Sequence, residues 1–137
     1  MNARTGIVTT TTALFGLLFL LLPACEEDPV VDERRVYDVF YSLNITGEST
    51  VDSVTYSFSG REAVTHNPPV DWTLHIQAGD GDVVFATAGG TVKSGQIVLF
   101  MRIEPASGGA IERSDECEES AGIPTVCTLT TGDVALK

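Results

Sequence analysis

Basic residues are scarce in this chain. Its 137 residues hold 8 Lys and Arg against 19 Asp and Glu, a formal net charge of −11. Nucleic-acid phosphates need Lys and Arg and repel carboxylates, so the acidity argues against a DNA- or RNA-binding role and no nucleic-acid partner is expected. Three cysteines and two histidines leave few candidates for a soft-metal site. No Cys-x-x-Cys redox pair occurs. Neither does Gly-x-Ser-x-Gly, which would set a nucleophile on a sharp turn, nor His-Glu-x-x-His, nor a phosphate-cradling Gly-Lys-Ser/Thr loop. These absences argue against an enzyme, and no cofactor is expected. The length bounds the chain to one domain.

What is present begins with an address. Ala13 to Leu22 reads ALFGLLFLLL behind a single basic residue, Arg4. Ten residues match the apolar region of a secretory signal and fall short of the roughly 20 that span a membrane. The run ends at Leu22-Pro23-Ala24-Cys25, which resembles the lipobox of bacterial lipoproteins. There an aliphatic residue and a small one, here Leu22 and Ala24, are read by the signal peptidase. The thiol, here Cys25, takes the diacylglycerol. Residues 1–24 are therefore expected to be a signal peptide. Residues 25–34, with the acidic Glu26-Glu27-Asp28 and Asp32-Glu33, are expected to be an acylated cysteine and a tether too polar to pack. Two or three acyl chains anchor a protein stably, at about 0.8 kcal/mol per buried CH₂. The expected location is the bacterial cell envelope, lipid-anchored to the membrane. What is known of such proteins points to the outer membrane in a two-membrane host, because Glu26 stands where an Asp would retain the protein at the inner one.

From residue 35 to residue 137 the pattern is strands. Tyr37, Val39, Tyr41, Leu43 and Ile45 alternate with Asp38, Ser42 and Asn44, with Phe40 among the latter. Val54, Tyr56 and Phe58 form a second inward set. Val70, Trp72, Leu74, Ile76 and Ala78 form a third, ended by a hairpin-type turn at Gly79-Asp80-Gly81. Val83 to Ala88 is a run closed by Gly89-Gly90. Ile97, Leu99, Met101 and Ile103 alternate with Gln96, Val98, Phe100 and Arg102, and Thr125 to Leu136 closes the domain. No stretch shows a helical repeat. Period-two alternation with frequent Gly/Pro punctuation predicts an all-β domain. The expected form is a small antiparallel, immunoglobulin-like β-sandwich of six to eight strands.

Few side chains suggest chemistry. With Cys25 acylated, Cys117 and Cys127 remain as a pair in a disulfide-permissive compartment. They are expected to bond, closing a loop of about ten residues and contributing about 2–4 kcal/mol. Asp115, Glu116, Glu118 and Glu119 surround Cys117 and are weak candidates for a hard cation such as Ca²⁺. Neighbouring carboxylates cannot all converge on one ion, so a solvated acidic loop is the expectation there. Asp80-Gly81-Asp82 reads as a turn. His75 falls on a polar strand face and His66 before the Asn67-Pro68-Pro69 loop. Trp72 reads as core. The glycosylation pattern Asn44-Ile45-Thr46 is incidental behind a bacterial lipoprotein signal.

Several short pieces then line up in order: Tyr37-Asp38-Val39, Val54-Thr55-Tyr56, Pro68-Pro69-Val70-Asp71-Trp72, Arg102-Ile103 after a strand preceded by Gly95, and a late Cys127. This order resembles the MmpS (mycobacterial membrane protein small) family, across most of residues 36–127. Three departures stand out. Met101 occupies the place of the family's cysteine before Arg-Ile, so Cys117 would replace it from a loop. Glu104-Pro105-Ala106-Ser107-Gly108 stands where the family has Val-Asp-Gly. A lipobox stands in place of a membrane helix. The resemblance implies a β-sandwich and, by fold-level analogy, an accessory partner of large lipid-exporting transporters.

The expected function is therefore non-enzymatic: a lipid-anchored protein that binds another envelope component, with a transporter as the partner the resemblance implies. An acidic surface suits a basic partner face. Three alternatives stay open. One is an inhibitor of a basic secreted hydrolase such as a muramidase, probing its cleft with the 115–119 loop. The others are a carbohydrate- or calcium-binding module and a hydrolase using His66.

Overall fold

A computed structural model describes residues 35–137. The expected signal peptide, Leu22, Ala24, Cys25 and the tether through residue 34 lie outside the described residues. Alternation of apolar and polar side chains builds the strands in chain order: β1 (Val36–Ile45), β2 (Ser49–Phe58), β3 (Arg61–His66), β4 (Thr73–Gly79), β5 (Val83–Val84), β6 (Ala86–Val92), β7 (Gln96–Pro105), β8 (Ile111–Glu118), β9 (Thr125–Thr130) and β10 (Val134–Ala135). They form two four-stranded sheets, ordered β4-β1-β7-β8 and β3-β2-β6-β9, and a two-stranded ladder of β10 with β5. All the pairings are antiparallel. The domain is an all-β sandwich, as its alternation predicts, and the short ladder adds two strands to the count.

The first sheet, β4-β1-β7-β8, supplies the large core side chains. Tyr37, Val39, Tyr41 and Leu43 of β1 and Ile97, Leu99, Met101 and Ile103 of β7 are all buried. The second sheet, β3-β2-β6-β9, answers mainly with small ones: Val51 and Val54 of β2, and Ala86, Ala88 and Val92 of β6, together with Leu129 of β9. Trp72 closes the core beside Tyr56, with ring centroids 5.7 Å apart. Each fully buried Val, Leu or Ile contributes roughly 1.5–3 kcal/mol.

Backbone geometry shapes the strands in ways the alternation does not carry. A bulge shifts the β2/β6 register between Val51 and Ser53, which brings Val51 and Val54 to the same face. Phe58, expected inside, is 50 % exposed, and Ser57 is buried instead. Phe58 ends β2 at a two-residue turn whose Ser59 and Gly60 both have positive φ, the geometry of a tight hairpin. Val70, also expected inside, lies outside β4. The chain turns there, with Trp72 N–H donating to the Pro69 carbonyl, and the Val70 side chain faces solvent.

Gly89-Gly90 does not close a strand either, since β6 runs straight through it. A Cβ on Gly90 would meet the Thr50 carbonyl oxygen of the neighbouring strand far inside van der Waals contact, whereas one on Gly89 would meet nothing, so Gly90 marks a close backbone approach. Gly79–Asp82 is a turn, with Asp82 N–H donating to the Gly79 carbonyl. It is not a hairpin, because β4 and β5 belong to different sheets.

Candidate functional site

The solvent face of the first sheet gathers unlike side chains. On β1, Phe40 stands directly opposite His75 of β4 and Arg102 of β7. Its ring stacks on His75 with centroids 4.4 Å apart and an interplanar angle of 6°. One row along, Phe100 of β7 stands opposite Ser42 and Ser114, and Val98 opposite Asn44 and Glu116. Phe40, Val98 and Phe100 are all half-buried. Phe40 and Phe100 are diagonal neighbours, a relation that places them about 7–8 Å apart. They form one apolar strip.

Carboxylates frame this strip. Asp38 lies 2.8 Å from His75 Nε2 and accepts from Gln77 Nε2 at 3.4 Å. Arg102 contacts Glu104 at 2.6 Å and Glu112 at 3.3 Å. Exposed pairs of this kind contribute little stability, about 0–1 kcal/mol each. Their effect is to orient side chains. Arg102 is held between two acids, so the face keeps an acidic character that Glu116 and Glu118 extend along β8.

The sequence carried a faint signal for this strip. Apolar residues at polar-face positions, Phe40 on one strand and Val98 and Phe100 on another, have no packing reason if that face is solvent. Only the β1/β7 register shows that they meet.

The acidic segment at 115–119 is mostly strand, not the expected loop. β8 carries Asp115, Glu116, Cys117 and Glu118. Alternation sends Glu116 and Glu118 to the solvent face, while Asp115 turns toward β9, where its Oδ2 accepts the Thr130 backbone N–H at 2.9 Å. These carboxylates therefore cannot share one ion, and no His/Cys/Asp/Glu group able to hold a metal occurs among the described residues.

Cys117, also expected in a loop, sits on this strand at disulfide distance from Cys127 of β9, with Cα atoms 6.2 Å apart. β8 and β9 are edge strands of opposite sheets. The cysteine pair and the Asp115–Thr130 bond thus tie the two layers along one lateral edge. At one end of the sandwich, a cleft of about 620 Å³ runs past Arg35, Tyr37, Pro105 and Lys137. The Tyr37 hydroxyl bonds there to Asp80 and to the Lys137 carbonyl.

His66 ends β3 and His75 stands on β4 beside the strip, so the two histidines belong to different sheets. In the core, the Tyr41 hydroxyl bonds to Ser57 Oγ at 2.9 Å. Burial pushes the Tyr41 pKa above its ordinary 10.0, against a smaller lowering by the Ser57 bond, with the neighbouring Tyr56 adding to the rise. This pair braces the two sheets and faces no solvent. No family model, curated protein or solved structure matches the chain.

Proposed function

We propose that this protein is a lipid-anchored binding module of the bacterial cell envelope, held through diacylglycerol on Cys25 and facing a protein partner with the β4-β1-β7-β8 sheet. The observation that carries the reading is the apolar strip of Phe40, Val98 and Phe100, framed by Asp38, Glu104, Glu112 and Glu116. An apolar centre with a charged rim is the composition of a recognition surface. A net charge of −11 favours a partner whose facing surface is basic, because complementary fields raise the rate of encounter. The lipobox resemblance at Leu22, Ala24 and Cys25 supports the anchor and a location at the outer membrane in a two-membrane host. The MmpS-like order of motifs supports an envelope transporter as the partner. His75 is engaged by Asp38 and Phe40, which fits a binding role rather than catalysis.

The test is cross-linking of a tagged copy in its own host. The wild type is expected to capture one basic envelope protein, and Phe100→Ser with Glu116→Lys is expected to lose it. Equal capture by both would sink the reading. A transporter subunit among the captured proteins supports the accessory role, whereas a secreted hydrolase moves the conclusion to inhibition. Cys25→Ser is expected to release the protein from the membrane fraction. Unchanged membrane binding would remove the anchor.

A further inference from the structure

The two lateral edges of the sandwich differ. Along one, β8 and β9 are tied by Cys117–Cys127 and by Asp115 on the Thr130 amide, and β8 carries Glu112, Arg113, Asp115, Glu116 and Glu118. Charges on an edge strand discourage further pairing. Along the other, β3 is an edge strand with an uncharged centre, Ala63-Val64-Thr65, and no proline. Its ladder with β2 runs without a register shift, so no bulge in that ladder twists the edge away. Val64 is 49 % exposed. Asn67 N–H donates to the Asp52 carbonyl on the β2 side. Bonding direction alternates along an antiparallel strand. The amides and carbonyls of Glu62, Val64 and His66 therefore point away from β2, toward open solvent.

We propose that this edge pairs with β3 of a second copy of the chain, antiparallel, about a twofold axis at Val64. The chemistry of the strand is self-complementary in that register. Val64 meets its own equivalent, Glu62 of each copy stands opposite His66 of the other, and Ala63 opposite Thr65. Each Glu62 carboxylate can then accept from an imidazole N–H across the axis. An isologous contact of this kind closes on itself as a dimer and does not propagate.

The surroundings suit a like-charged twin. The face beside β3 presents Thr55, Thr87 and Thr130 in one row and Ser53, Gly89 and Thr128 in the next. Both rows are free of charge in a chain of net −11. On β4, the edge strand of the other sheet, the same operation centred on His75 would set two imidazoles against each other. Pairing through β3 also leaves the Phe40/Phe100 strip open on both copies, so the dimer presents that strip twice.

The full-length chain carrying Val64→Cys, expressed in a bacterial envelope and treated with a mild oxidant, tests this. A hydrogen-bonded cross-strand pair holds its Cα atoms about 5.5 Å apart, within reach of a disulfide. Val64→Cys is expected to give a reducible dimer band, and Val126→Cys, 82 % exposed at the opposite edge, severalfold less. Adding Glu62→Lys to Val64→Cys is expected to lower the dimer yield severalfold, and adding His66→Glu as well to restore it. No dimer at Val64→Cys would overturn the proposal. So would equal linkage at Val126→Cys, or a mixed disulfide with a different protein. Position 64 is half exposed, so its substitution leaves the core intact and each readout interpretable. The strip variant Phe100→Ser is expected to dimerise as the parent does, which separates this proposal from the partner reading.

Discussion

The two sheets divide the work of the sandwich unequally. The β4-β1-β7-β8 sheet sends Tyr37, Tyr41, Leu43, Leu99 and Met101 inward and sets phenyl rings and ion pairs outward. The β3-β2-β6-β9 sheet presents Ala86, Ala88, Gly90 and Val92 along the inner face of β6 and mostly threonine outward. Packed sheets lie about 10 Å apart, so bulk on one layer has to be met by smallness on the other. At Gly90 the opposite layer presses in as well, since Ile97 Cδ1 lies 3.2 Å from where a Cβ would sit, although the tightest approach there is the Thr50 carbonyl of the neighbouring strand in the same sheet. The comparison teaches that β6 is small because β1 and β7 are large. It also teaches that the decorated outer face belongs to the sheet already richest in apolar residues.

The largest expected effect comes from breaking this size balance. Leu99→Ala empties the large side and is expected to cost about 2–5 kcal/mol. Ala88→Leu overfills the small side and is expected to cost about 1–3 kcal/mol. Denaturant unfolding checks both, with a lower midpoint in each. If Ala88→Leu were neutral, the layers would not be close-packed against each other.

Next comes the tie between the layers. Cys117→Ser with Cys127→Ser is expected to cost about 2–4 kcal/mol. Reductant is expected to lower the thermal midpoint of the wild type and to leave the double variant unchanged. A double variant as stable as the parent would mean that the Asp115–Thr130 contact and the core hold that edge alone.

The smallest effect sharpens the comparison from inside. Tyr41 of the first sheet and Ser57 of the second share a buried hydrogen bond, and Tyr41→Phe is expected to cost about 0.5–1.5 kcal/mol. The tyrosine also has a pH signature. Its folded pKa is raised above the unfolded 10.0, so above pH 10 the unfolded chain gives up a proton that the folded one retains. Tyr41's contribution is therefore whole below pH 10 and is lost as the pH climbs through the raised folded value. Tyr41→Phe is expected to flatten that alkaline loss, measured by thermal midpoints between pH 8 and pH 11.

Much of this was legible in the residues. The alternation of β1 and β7 is plain because both strands keep strict period two over their inward apolar sets. Trp72 could be read as core, since it shares the period of Leu74, Ile76 and Ala78. Phe58 and Val70 mislead for the same reason in reverse. Each continues a period beyond the point where the chain turns, and a turn is fixed by backbone dihedrals that the hydrophobic pattern does not carry. Gly89-Gly90 looks like punctuation in a string of letters. In the sheet it is a strand interior, because the constraint comes from Thr50 on a strand some forty positions away in sequence. The strip at Phe40, Val98 and Phe100 was half visible, as apolar residues on faces otherwise polar.

By itself, the sequence determined the class of the domain and its strand periodicity. Periodicity is local, since each residue needs only its neighbours two positions away. The tertiary structure alone decided the strand order, the Asp52 bulge, the tied and open edges, and the meeting of Phe40 with His75 and Arg102. These depend on register between strands distant in the chain. Register is settled by the packing of whole faces against one another, since a slip of one residue would turn every buried side chain of a strand to solvent.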